Sequence, residues 1–179
     1  MEAITRPAVP AASTKTGEGG WVASTYRGGY GHQAVAASIR VVREKIEAGQ
    51  ALVAVEYDDT DGRRWFYVYG AREHADGNWK VSGGSGGSAE GPAAPRSPWA
   101  NLGGWGNDSL TCAGGRVHGE GVHRVRLRGS TGQSFEDEVR NGVALLIGDC
   151  PFGGRYTVEL LDRSGAVLGT HHWGHDRQS

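Results

Sequence analysis

The stretch from Val122 to Trp173 constrains this chain more than any other. It reads VHRVRLRG, SFEDEVRNGVALLIG, RYTVELLD and AVLGTHHW, short runs of Val, Leu and aromatic residues separated by turn residues at regular spacing. Val125 and Leu127 alternate with Arg124, Arg126 and Arg128. One side of that strand is therefore apolar and the other charged. Asn141-Gly142 lies between two such runs, and both residue types tolerate positive φ, so the pair predicts a two-residue hairpin. Val143 to Ile147 is apolar at every position, as in a strand buried on both faces. Asp162, Ser164 and Gly165 mark a further tight turn. Together these signals predict an antiparallel β-sandwich or barrel, threaded as a meander or Greek key.

The segment VELLDRSGAVLG, two strands around a polar turn, resembles the small immunoglobulin-like β-sandwich modules of high-GC bacteria. The resemblance covers roughly residues 110–173 and implies a fold, with no activity attached to it.

Upstream, Val35, Ile39, Val42 and Ile46 recur at i, i+4, i+7 and i+11, which predicts a helix from about His32 to Ala48 with Gly49 as its stop. Its apolar stripe is expected to dock on a small sheet made of Leu52–Tyr57, Arg64–Ala71 and Asn78–Ser82. The predicted class is mainly β, α+β overall: a helix packed on a small antiparallel sheet, then a sandwich. The expected organisation is a disordered tail (1–18), the helix and meander (19–82), a Gly/Ser/Pro-rich connector (83–98), the sandwich (99–175) and a short tail (176–179).

Composition removes several classes. Net charge is −1 and the mean hydropathy is −0.47. That balance argues against a general affinity for nucleic acid or an anionic membrane. The longest apolar run is far shorter than the ~20 residues of a membrane-spanning helix. The first residues have neither a basic nor an apolar signal region, so the expected compartment is the cytoplasm. Glycine supplies 31 of the residues, which favours turns over long helices.

Little reads as chemistry. Gly83-Gly84-Ser85-Gly86-Gly87 matches G-x-S-x-G formally, but no helix pattern follows the serine. Asp58, Asp59 and Asp61 before Gly62 resemble part of a calcium loop. With Gly62 aligned to the loop glycine, Tyr57 and Val68 occupy ligand positions, so a hairpin turn explains the aspartates better. The metal candidate is His172 with His175, if the chain turns at Gly174, completed by His118 or Cys112. Neighbouring His171 would point to the opposite face of a regular strand. Cys112 and Cys150 form a disulfide in an oxidising compartment and stay buried thiols in a reducing one. His123 and Asp137 share inward parity, and a hairpin closed by GSTG would set them opposite each other as a buried polar pair. Trp99 and Trp105, in WANLGGWG, either fill the seam between the two halves or stay exposed and stack on a ligand.

No catalytic residue is assigned and no cofactor is expected. The expected function is a non-catalytic binding or scaffolding module whose ligand is unknown, with another protein as the partner class left open. The rivals are a small hydrolase or metal-dependent enzyme between the two halves, and a nucleic-acid binder using RGGYGH and the arginine face of VHRVRLR.

Overall fold

The computed structural model describes residues 14–16, 20–22, 34–89 and 97–174. Thirteen strands are named among them, all paired antiparallel: β1 (Thr14–Thr16), β2 (Gly20–Val22), β3 (Arg40–Glu47), β4 (Gln50–Asp58), β5 (Arg64–Glu73), β6 (Trp79–Ser88), β7 (Trp99–Gly106), β8 (Thr111–His118), β9 (Arg124–Gly129), β10 (Ser134–Glu138), β11 (Val143–Gly148), β12 (Tyr156–Leu161) and β13 (Val167–Trp173). The mainly-β class holds. Among the described residues no helix is long and apolar enough to cross a membrane. Strands β1 and β2 pair as a two-stranded ribbon, so Thr14–Thr16 is not part of a disordered tail. The rest of that tail, the RGGYGH tract, residues 90–96 and residues 175–179 lie outside the described residues.

The strands form three stacked layers. One outer sheet has the order β3-β4-β5-β6, the middle sheet β11-β8-β7, and the second outer sheet β10-β9-β12-β13. The middle sheet is buried on both faces. On one side Cys112, Val143 and Leu145 pack with Leu52, Ala54, Phe66 and Val68 of the first sheet. On the other, Ala113, Ala144 and Leu146 pack with Val125, Leu127, Val158 and Leu160. This is why β11 lacks polar alternation: each successive side chain enters a different core.

The turns match their residues. Asn141 and Gly142 both have positive φ, at 53° and 69°. At the last hairpin, the Asp162 N–H donates to the Ala166 carbonyl, and its carboxylate accepts from the Ala166 N–H and the Ser164 hydroxyl.

Other expectations need correction too. The helix over 32–48 does not form. Its described part is a 3-10 turn, Ala36–Ser38, followed by strand β3, which pairs with β4 along nearly its whole length. Gly49 has the positive φ expected of it, but in the β3–β4 turn rather than at a helix end. Residues 83–88 are not connector; they are the second half of β6 and pair with β5 from Trp65 to Gly70. The His123–Asp137 pair is absent because the β9–β10 register differs by two residues. Leu127 lies opposite Phe135 and Val125 opposite Asp137, while the Val139 N–H donates to the His123 carbonyl.

Asp137 is instead buried between layers. Arg43 reaches it from β3 at 2.6 Å and Lys45 at 3.4 Å, and the Leu145 N–H donates to it at 2.7 Å. Arg43 also donates to the carbonyls of Glu138 and Val143. A second cross-layer pair joins Glu56 of β4 to Arg116 of β8, and Arg40 shares the same carboxylate. The Glu56–Arg116 pair ties the first sheet to the middle one, while Arg43 and Lys45 tie it to β10 at the edge of the second outer sheet.

Candidate functional site

Where the first sheet leaves the middle sheet, a cleft of about 660 Å3 opens. Its geometry follows from glycine spacing. Near Trp105 the two layers close tightly: the indole lies against β5 and β6, and a Cβ on Gly83 would fall 2.2 Å from Trp105 Cδ1. One residue pair further, a Cβ on Gly103 would fall 1.8 Å from Ser85 Oγ. Beyond that contact the cleft is lined by Ser85 to Ala89 on one side and by Trp99, Asn101 and Leu102 of β7 on the other.

The period of two on β7 and β8 puts a polar row on the cleft wall. Trp99 pairs with His118, and Asn101 with Arg116. Directly opposed residues share a face with Cβ atoms about 5 Å apart, so these four side chains form one patch. Arg116 lies over the Phe66 ring, 4.6 Å from its centroid, and is tied to Glu56. Ser85 and Ser88 line the facing wall. A smaller pocket of about 260 Å3, lined by glycines with Phe152 and Trp173, carries no charged group.

The two tryptophans have separate fates. Trp105 is half-buried and fills the seam between layers, with its Nε1 buried and without an acceptor among the described residues. Trp99 is 41 % exposed at the cleft mouth. His171 of β13 stacks on it, ring centroids 4.2 Å apart and planes 25° from parallel. The stack covers one indole face and sets the ring's orientation before any ligand arrives.

Burial, and secondarily the nearby His172, push the His171 imidazole below its ordinary value, while a hydrogen bond to Ala100 works the other way. A depressed folded-state value means the unfolded chain binds more protons just below the ordinary pKa. This contribution to stability is therefore complete above about pH 6.5 and is lost as pH falls through the folded-state value. A histidine NMR titration is expected to place His171 below 6.5, with Tm falling less steeply under acid in His171→Gln. A His171 value at or above 6.5 would contradict the burial.

The other candidates are dispersed. Cys112 and Cys150 are free and belong to cores on opposite faces of the middle sheet, so the disulfide is excluded. Cys150 Sγ sits 3.4 Å from the Tyr156 hydroxyl. Burial pushes the Cys112 thiol up to about 11, which leaves no thiolate at neutral pH. A thiol-reactive dye should count both cysteines in denaturant and neither in the native protein; rapid labelling of folded protein would contradict this packing.

His172 is exposed on β13, and its proposed partner His175 lies outside the described residues. Among the described residues no three His, Cys, Asp or Glu side chains gather as metal ligands. The calcium-like loop is a turn: Asp59 is buried and accepts from the Asp61 and Arg63 N–H groups and from Trp65 Nε1. Each arginine on the β9 face has an acidic partner. Arg124 and Arg126 pair with Glu136, and Arg126 and Arg128 with Glu159.

Sequence reasoning found Trp99, named His118 only as a possible metal ligand, and missed Arg116 and Asn101. The available signal was the alternation of WAN and RVH, which places all four on one face once β7 and β8 are known to pair. No protein family and no curated protein matches the chain.

Proposed function

We propose that this protein is a non-catalytic binding module and that its ligand occupies the cleft between β6 and the β7–β8 ladder. The observation that carries this reading is Trp99, an exposed indole pre-set by His171 at the mouth of an open, polar-walled cleft. An indole left in water at such a place is a stacking platform, and the adjacent Asn101, Arg116 and His118 supply directional hydrogen bonds. Strands β7 to β13, in sheets of three and four, agree in number with an immunoglobulin-like sandwich. We carry that resemblance forward as part of the proposal. The nucleic-acid reading loses support because the β9 arginines already have acidic partners.

A hydrolase at the same place has one observation in its favour, since Ser85, Ser88 and His118 all line the cleft. Against it, the Ser85 hydroxyl is pressed against the β7 backbone at Gly103, where it has little room to attack.

The test is a thermal-shift panel of oligosaccharides, peptides and oligonucleotides on wild type and Trp99→Ala. At least one class is expected to raise the Tm of wild type and leave that of Trp99→Ala unmoved. A panel in which nothing stabilises wild type, or in which both proteins are stabilised alike, would overturn the reading. Consumption of a panel member with loss on His118→Ala would establish the hydrolase instead.

A further inference from the structure

We infer that the cleft selects an acidic saccharide, its ring stacked on Trp99 and its carboxylate held by Arg116. This rests on the binding-module reading above and specifies its ligand. Charge is the first argument. Two guanidiniums, Arg40 and Arg116, share the single carboxylate of Glu56, so the cluster carries an excess positive charge. Glu56 is nearly sealed from water while Arg116 is 30 % exposed and lines the cleft. Arg40, 65 % exposed, lies outside the cleft lining, so the part of this charge that faces the cleft is the Arg116 guanidinium. Arg116 gives Nη2 to Glu56, and its remaining N–H groups have no acceptor among the described residues. Its position over Phe66 holds the planar fork in place, which is the geometry a carboxylate accepts in bidentate fashion. Burial first, and the like charge of Arg40 second, hold the Arg116 guanidinium below its usual value. An anion arriving beside it would relieve that repulsion.

Shape and chemistry supply the second argument. The exposed part of the Trp99 indole suits the flat C–H face of a pyranose. Asn101 and His118, beside it on the ladder, donate to and accept from hydroxyls. A volume of about 660 Å3 is in the range of small-ligand sites. One uncompensated charge fits a ligand bearing a single acid per contacted residue. A nucleic acid would require several basic contacts to phosphate.

The test uses tryptophan fluorescence titration of the whole chain with tetragalacturonate and with the neutral galactose oligomer of the same length. The acidic oligomer is expected to bind about tenfold or more tightly than the neutral one. Raising ionic strength from about 0.05 M to about 0.5 M should narrow that gap. Arg116→Gln should abolish the preference and Arg116→Lys should keep part of it. Should Arg116→Gln fail to fold, Arg116→Lys and the salt series still decide. Equal affinity for the two oligomers, with no salt dependence, would overturn the charge reading while leaving a binding module. Binding of an acidic peptide or a single-stranded oligonucleotide at Trp99, with no saccharide bound, would overturn the saccharide and keep the cleft. No binding by any of them would overturn both.

Discussion

Asp137→Ala is expected to lower the unfolding free energy by about 3–5 kcal/mol, because it strands a buried charge. Arg43 and Asp137 are each only 7 % exposed in their side chains. Removing the carboxylate leaves the Arg43 guanidinium without its counter-ion. It also leaves the Leu145 N–H, which donates to Asp137 at 2.7 Å, without an acceptor inside the middle layer. The net worth of the pair is a different quantity. Arg43 Nε is already buried with no acceptor among the described residues, so desolvation has cost the protein part of the pair's attraction. Replacing both partners by apolar residues of similar size, Arg43→Met with Asp137→Leu, should therefore recover most of the loss. Urea denaturation of the two proteins checks this. Equal losses in the single and double variants would mean that the pair contributes more than its replacement by packing.

Leu145→Ala and Leu146→Ala should each lower stability by about 2–5 kcal/mol, although the residues are neighbours. Both are fully buried, Leu145 against the first sheet and Leu146 against the β9–β12 sheet. In a two-layer sandwich one of the two would face solvent and its replacement would have little effect. Because the two cavities lie in separate cores, the double variant should lose close to the sum. A small loss from either single variant would remove the three-layer arrangement.

The physical reasons for what could and could not be read in the chain are specific. β11 and the Asn141-Gly142 and Asp162–Gly165 turns were legible because local chemistry and final environment agree there. The helix over 32–48 was misread because β3 inverts the usual polarity. Arg43 and Lys45 point inward to Asp137, while Val41 and Ile46 are 47 % and 42 % exposed. An inward charge satisfied by a residue nearly a hundred positions away leaves no trace in local periodicity. Leu52, Arg64 and Trp79 were each placed on the correct strand, but β6 was cut short at Ser82. Its glycines carry no strand propensity of their own. They are needed because Gly83, with Gly70, makes room for the Trp105 ring. The His123–Asp137 pairing failed by a shift of two residues, which preserves inward parity and so cannot be detected from alternation alone. The site shared that limit. Trp99 was visible as an aromatic in a glycine setting, whereas Arg116 becomes a cleft residue only when Glu56 is brought to it from another sheet.

Amide and indole chemical-shift mapping, with whichever panel compound stabilises the protein, tests the cleft most directly. The expected shifts gather on the Trp99 indole, on Asn101 and Gly103, on Gly115 to His118, and on Ser85 to Ser88 across the gap. The β9 arginine ladder and the Trp105 indole should stay unmoved. Shifts concentrated on Arg124, Arg126 and Arg128, with the Trp99 indole unchanged, would contradict the assignment of the cleft as the binding site.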